Sequence, residues 1–135
     1  MAARFPLIVD GSGTPAIKEI VSGDVLDLTG LQVKLGTEAT LTDGSTVAWD
    51  VSASPIAKLT LGGNRTISAP TNAVGSGQYI SLLVIQDGTG SRTLTWNAVY
   101  EFTADTAPTL TTTASKGDLF TFRYNGSKWL EVGRN

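Results

Sequence analysis

The sequence predicts an all-β protein: an antiparallel β-sandwich, or a jelly-roll or barrel-like domain, preceded by an extended N-terminal arm. Short runs of alternating apolar and polar residues recur along the chain, and glycine or proline separates them about every eight to twelve residues. Apolar residues show no sustained recurrence at three- and four-residue spacing, and glycine, proline or threonine soon interrupts each candidate helix. We therefore expect no significant helix.

Residues 78–86 form the predicted central strand. The stretch is rich in β-branched residues and leucine and has no charge between its two terminal glutamines. Both of its faces are largely apolar, so both need cover from other strands or from another subunit. Residues 87–91 contain two glycines and are expected to reverse the chain into a hairpin with a second strand at residues 92–96.

Residues 1–30 are predicted to form the arm, and residues 31–135 the β domain. The apolar runs of the arm are short and interrupted, so they cannot bury one another. We expect them to order on the surface of another protein and to anchor the domain there. The residues assigned to this anchoring role are Arg4, Phe5, Pro6, Leu7, Ile8, Val9, Ile17, Ile20, Val25, Leu26 and Leu28.

Turn signals divide the β domain into further strands. Residues 31–35 alternate strictly between apolar and polar and predict its first strand. Asp43-Gly44-Ser45 predicts a hairpin turn between strands at residues 39–42 and 46–51. Residues 56–61 repeat the alternation and predict another strand.

The C-terminus carries the clearest hairpin signal. Asn125-Gly126 stands between two alternating runs, at residues 118–124 and 127–132. This pair favours a two-residue type I′ turn, in which both central residues adopt positive φ. That turn would place Phe122 opposite Trp129, a cross-strand pair that contributes about 0.2–1 kcal/mol relative to alanine.

Composition excludes several kinds of chemistry. The chain has no cysteine and no histidine, which excludes disulfides, thiolate or histidine metal sites, cysteine nucleophiles and serine–histidine hydrolysis. The acidic residues lie mostly beside glycines or at strand ends, where turns use them. Neither Asp10–Gly13 nor Asp87–Gly90 has the spacing of a calcium loop, and no carboxylate pair stands out as a glycosidase pair. We expect no enzyme, cofactor or metal.

Charge and hydropathy limit the partners. The net charge is -2, and the ten lysines and arginines are scattered, which argues against a nucleic-acid partner. No apolar run approaches the roughly 20 residues that span a bilayer, and the first residues lack the core of a signal peptide. We expect a soluble protein that is made in a cytoplasm and has no membrane partner.

The aromatic residues have two possible roles. They could form a face on which sugars stack, or they could be core and subunit contacts, and their positions on inward phases of the alternation favour the second role. The residues predicted to form core or subunit contacts are Trp49, Tyr79, Ile80, Leu82, Val84, Trp96, Phe120, Phe122 and Trp129.

Two blocks of sequence resemble structural proteins of tailed-bacteriophage virions. The first resembles the N-terminal leader of many such proteins and comprises FPLIVDGSG at residues 5–13 and IKEIVSGDVLDL at residues 17–28. The second resembles a β-rich module of head-decoration, tail-fibre and other tail-associated proteins and comprises residues 59–70, 86–96, 106–110 and 122–129. The resemblance covers most of the chain, and it implies a virion protein without saying which part of the particle.

Such modules are typically homotrimeric, so the resemblance implies a homotrimer. The apolar faces of the central strand and a charged fraction of 16% agree with burial of surface between copies. One compact β unit after an arm, without a coiled coil or a repetitive shaft, favours a capsid decoration protein, also called a cement or head-spike protein. Its arm would bind the major capsid protein, and many weak contacts would stabilise the shell.

The alternative is a tail-fibre or receptor-binding tip module. Its aromatic face, or the loops at residues 72–77, 87–91 and 103–108, would engage host surface glycans. Both alternatives place the protein, made in the host cytoplasm, in the virion. The expected location is the capsid surface, with the tail as the alternative.

Overall fold

The computed structural model describes residues 7–9, 15–17 and 36–135. The chain divides into two units, residues 1–33 and 34–135. In the first unit, β1 (Leu7–Val9) and β2 (Pro15–Ile17) pair antiparallel, with Leu7 opposite Ile17. The strand predicted at residues 31–35 lies outside the described residues.

The second unit begins with three successive β-coils stacked in parallel, and each coil contributes one strand to each of two sheets. Within each sheet, the strands of successive coils pair in parallel. The strands of the first sheet are β3 (Ala39–Thr40), β5 (Ile56–Leu61) and β7 (Tyr79–Gln86). The strands of the second sheet are β4 (Thr46–Val47), β6 (Arg65–Ile67) and β8 (Leu94–Trp96).

Three later strands end the parallel stack, and we call them the closing strands. They are β9 (Tyr100–Glu101), β10 (Gly117–Tyr124) and β11 (Trp129–Arg134). Strand β10 pairs antiparallel with both β7 and β11, and β9 pairs parallel with β11. The first sheet is therefore mixed and six-stranded, in the order β3-β5-β7-β10-β11-β9, whereas the second keeps three strands.

The all-β prediction is confirmed, but the antiparallel sandwich, jelly-roll and barrel are not what the chain forms. Within the described residues, the helical content is one 3-10 turn at Thr103–Asp105. The parallel coils give the domain a solenoid-like stacking. Both hairpins predicted at residues 43–45 and 87–91 are wrong, because each turn leads the chain across to the other sheet instead of back beside the same strand.

Strand β7 occupies the predicted central position, between β5 and β10. Its inward residues Ile80, Leu82 and Val84 are at most 2% exposed and pack in the core. Its outward residues are less covered, and Tyr79 is 51% exposed. One face of the central strand thus supplies the core of the coil stack, while the other forms part of the outer surface.

The core is made of side chains that stack from coil to coil. In the second sheet, Val47 of the first coil pairs in register with Ile67 of the second, and both are fully buried. In the first sheet, Leu59 pairs with Val84, and both are again buried. This inward alternation buries one residue in two along each strand, which is the pattern the sequence displays.

Charged pairs hold the corners at which the chain passes between sheets. Arg65 donates two hydrogen bonds to Asp43, from Nε at 2.7 Å and Nη2 at 2.6 Å, and these bonds lower the pKa of the Asp43 carboxyl. Arg92 pairs with Asp87 across 2.9 Å, and its hydrogen bond, with one from Gly90 N, lowers the pKa of Asp87. Asp43 and Arg65 thereby join the corners of the first two coils.

The C-terminal hairpin forms between β10 and β11, but its predicted register is wrong. Tyr124 lies opposite Trp129, and their rings stack with centroids 4.6 Å apart, whereas Phe122 lies opposite Glu131. The loop has four residues, because Asn125 N donates to Lys128 O at 3.0 Å. Of Asn125 and Gly126 it is Gly126 that adopts positive φ, at 100°, so a type I′ turn is not formed.

Candidate functional site

A cleft of about 510 Å³ lies beside β8, the last strand of the coil stack. One wall is the stretch Leu94–Ala98, and the other runs from β9 to Ala107, with Lys128 completing the rim. The cleft therefore sits where the third coil meets the closing strands. Two regions of distant sequence build it, since Lys128 comes from the loop before β11.

Aromatic rings form the floor of the cleft. The ring of Trp96 lies 5.1 Å from Tyr100 and 5.2 Å from both Phe102 and Phe120, centroid to centroid, in edge-to-face geometry. Phe122, which is fully buried, lies 5.1 Å from Tyr100 and completes the cluster. Edge-to-face pairs of this kind are worth about 0.5–1.5 kcal/mol beyond the area they bury, so the floor is rigid.

Two hydrogen-bond donors of the floor have no partner among the described residues. They are the indole Nε1 of Trp96 and the hydroxyl of Tyr100, and both atoms are buried. Tyr100 is 5% exposed, and burial raises the pKa of its phenol, so the hydroxyl keeps its proton. A buried donor without an acceptor costs about 1–3 kcal/mol. Both residues line the cleft, whereas these two donor atoms lie beneath its surface, since neither is exposed to solvent.

Polar groups line the rim of the cleft. Glu101 and Asp105 bring two exposed carboxylates, and Asn97 contributes an amide whose Oδ1 accepts a hydrogen bond from Val99 N at 3.0 Å. The ammonium group of Lys128 donates to the Ala98 carbonyl oxygen at 2.5 Å. The rim can therefore accept hydrogen bonds through its carboxylates, and its one lysine uses one of its three N–H donors within the protein.

The 3-10 turn at Thr103–Asp105 shapes the rim. Ala104 and Asp105 both adopt left-handed φ, 56° and 53°, which is uncommon for residues other than glycine. The Glu131 carboxylate fixes the start of the turn: its Oε2 accepts a hydrogen bond from Thr103 N at 2.9 Å, and its Oε1 pairs with Arg134 Nε at 2.7 Å. Strained backbone held by its surroundings is frequent at binding sites.

The predicted anchoring residues are placed only in part. Leu7, Ile8 and Val9 lie in β1, and Ile17 lies in β2. The others fall outside the described residues: Arg4, Phe5, Pro6, Ile20, Val25, Leu26 and Leu28. The anchoring role of the arm stays a prediction.

The residues predicted as core or subunit contacts fall into three groups. Most lie in the core and are at most 2% exposed, namely Trp49, Ile80, Leu82, Val84, Phe120, Phe122 and Trp129. Trp96 is half-buried and belongs to the floor of the cleft. Tyr79 is 51% exposed on the outer face of β7, so it is not a core residue.

Sequence reasoning did not single out the rim residues Asn97, Glu101, Asp105 and Lys128 as a group. It did include residues 103–108 among the loops that might meet a ligand, and this loop contributes Asp105 and Ala107 to the cleft. A local signal was present: aromatic residues at positions 96, 100 and 102 alternate with Asn97 and Glu101 within seven residues.

Among the described residues, no three or more acidic side chains lie close enough together to hold a metal ion. In the same part of the chain, none of the helical structure is long and apolar enough to cross a membrane. The candidate site is the cleft, with its aromatic floor and its rim of carboxylates.

A short stack of β-coils, ended by strands of a different topology, defines the class of solenoid-like β modules. The sequence identifies the family: residues 36–129, more than two-thirds of the chain, match the family described as "Putative phage tail fibre C-terminal domain". The chain belongs to this family, and it is a phage virion structural protein of tail-fibre type. No curated protein matches it, and no solved structure does.

Proposed function

We propose that this protein is the terminal module of a phage tail fibre and that it attaches the virion to a glycan on the host surface, as a binding protein without catalytic activity. The observation that carries the proposal is the family match. It runs from residue 36, just before β3, to Trp129, the first residue of β11. The matched sequence thus covers the coil stack and the closing strands β9 and β10.

The direction of the coil stack supports a terminal position. Three coils follow one another in parallel, and then β10 runs antiparallel to β7 and ends the repeat. The aromatic rings of the closing strands pack against Trp96 of the last coil. Repeat structures need a distinct terminal element that covers the last repeat, and the closing strands provide one.

The family match favours the tail over the capsid. Capsid decoration requires that the arm anchor the protein and that the major capsid protein be its partner. No family match supports either requirement. The match covers the coil stack and the closing strands β9 and β10, whereas residues 1–35, which include the predicted arm, lie outside it. The proposed location is therefore the tail of the virion.

The location is testable on intact particles. We expect gold-labelled antibody against this protein to bind at the ends of tail fibres in negative-stain micrographs. Antibody that has been absorbed with the purified protein serves as the control and should leave the particles unlabelled. Label distributed over the head would overturn the tail-fibre proposal and return the protein to capsid decoration.

We also propose that the protein is a homotrimer. The outer face of the six-stranded sheet exposes large apolar side chains, including Tyr79 at 51% and Leu119 at 43%. Large apolar side chains exposed on a sheet face are candidates for contact between proteins. Sedimentation equilibrium of the full chain at low micromolar concentration should give the mass of three chains, and the 14.1 kDa of a single chain would contradict the proposal.

A further inference from the structure

We infer that the cleft beside β8 binds a saccharide that is neutral or carries an amino group, and that it disfavours acidic saccharides. The inference rests on the proposed function, since it assigns the site and the chemical class of the host glycan. The aromatic floor, the polar rim and the charge of the cleft each support it.

The floor suits the apolar face of a sugar ring. Trp96 is only half-buried, so part of its indole faces the cleft, and its neighbours Tyr100 and Phe102 hold it in place from 5.1 and 5.2 Å. The exposed part of the indole can pack against the C–H groups of a pyranose.

The rim suits the hydroxyl groups at the sugar's edge. The carboxylates of Glu101 and Asp105 accept hydrogen bonds only, and each has two oxygens with which to bind adjacent hydroxyls. Hydrogen bonds to ionised acceptors are stronger than those between neutral groups. A ligand that is rich in hydroxyls and has few charges therefore matches the rim better than an apolar compound does.

The charge of the rim gives the selectivity. The side chains that line the cleft include two carboxylates, on Glu101 and Asp105, and one ammonium group, on Lys128, so negative charges outnumber positive ones. A uronic or sialic acid would bring a further carboxylate next to Glu101 and Asp105, where like charges repel. An amino sugar would place a cation there instead.

A peptide strand is the main competing occupant. Among the described residues β8 pairs with β6 on one side only, so its other edge is unpaired. A peptide added to that edge would pair with the backbone and would not need the carboxylates of the rim or the exposed part of the Trp96 ring. The arrangement of the side chains thus favours a saccharide.

The class of ligand can be tested with the full chain and host cells. We expect binding to cells to be lost after periodate oxidation, which cleaves the vicinal diols of glycans, and to survive protease treatment. On an array of bacterial glycans, neutral and amine-bearing glycans should bind at least tenfold better than acidic ones. Loss of binding after protease alone would indicate a protein receptor and would overturn the inference, as would preferential binding of acidic glycans or no glycan binding at all.

Two variants test the site itself. Asp105→Asn removes one charge and keeps a residue type that tolerates φ of 53°. Glu101→Lys reverses a charge on an exposed position of β9. We expect each to weaken binding of neutral glycans at least tenfold, and Glu101→Lys to improve the binding of acidic glycans relative to neutral ones.

Glu38→Lys is the matched control, because Glu38 is an exposed carboxylate that pairs with Lys58 at 3.4 Å and does not line the cleft. It should bind as the unmodified protein does. If the glycan binds but neither cleft variant changes the affinity, the cleft is not the site, while the tail-fibre proposal stands. Antibody label on the head would instead defeat the tail-fibre proposal whatever the array shows.

Discussion

Replacing Phe122 with alanine should lower the free energy of unfolding by about 3–5 kcal/mol, the range typical of buried aromatic residues. Phe122 is fully buried, and its ring centroid lies 5.1 Å from Tyr100, 5.7 Å from Trp96 and 5.9 Å from Phe102. The substitution removes the ring and leaves a cavity beneath the floor of the cleft. It also removes three aromatic contacts, of which the one with Trp96 joins the last coil to the closing strands.

Urea unfolding followed by tryptophan fluorescence measures this change. Val132→Ala on β11 is the control, since Val132 is 57% exposed and its loss should change stability by no more than about 0.5 kcal/mol. A loss below about 1 kcal/mol for Phe122→Ala would mean that the cluster does not have the packing described here.

The second large effect is expected at Gly90, where alanine should cost about 2–4 kcal/mol through left-handed backbone strain and local overpacking. Gly90 has φ of 75°, and a Cβ atom there would lie 2.4 Å from the carbonyl oxygen of Thr112 and 2.9 Å from the backbone nitrogen of Ala114. The Thr112 carbonyl cannot move freely, because it accepts a hydrogen bond from Ser91 N at 2.9 Å.

Gly88→Ala provides a matched control two residues away. A Cβ atom at Gly88 would meet nothing within 4 Å, and its φ is not in the left-handed region. We expect this variant to unfold at nearly the same urea concentration as the unmodified protein. If both variants lower the free energy of unfolding equally, the loss arises from any substitution in this loop and not from the close approach of Gly90 to Thr112.

The alternation of apolar and polar residues was enough to predict the strands, the all-β class and the buried face of the central strand. It could not reveal that the strands of the coils are parallel. A strand buries every second residue whichever way its neighbour runs, and the turn at Asp43–Ser45 has the composition of a hairpin although it joins two sheets. The direction of pairing depends on contacts between distant segments.

The cleft was less predictable than the fold. The aromatic residues suggest the floor of the cleft. Lys128 and Ala98 are thirty residues apart in the sequence, however, and only folding brings them together. Asp105 has the ordinary appearance of a loop residue until its left-handed φ places it on the rim. Similarly, threonine favours strands, but the threonine-rich run at residues 109–113 forms an irregular segment that lies against Gly90.

The parallel coils also determine how the module carries a mechanical load. If the proposed fibre attachment pulls at residue 36 while the proposed glycan holds the cleft, the load is applied to the first and the last coil. Strand β3 is held to β5 by two register pairs, Ala39–Ala57 and Thr40–Lys58, whereas β5 is held to β7 by a ladder of six, from Ile56–Ser81 to Leu61–Gln86. Under such a load we expect the first coil to separate before the second, which would lengthen the module while the cleft stays intact.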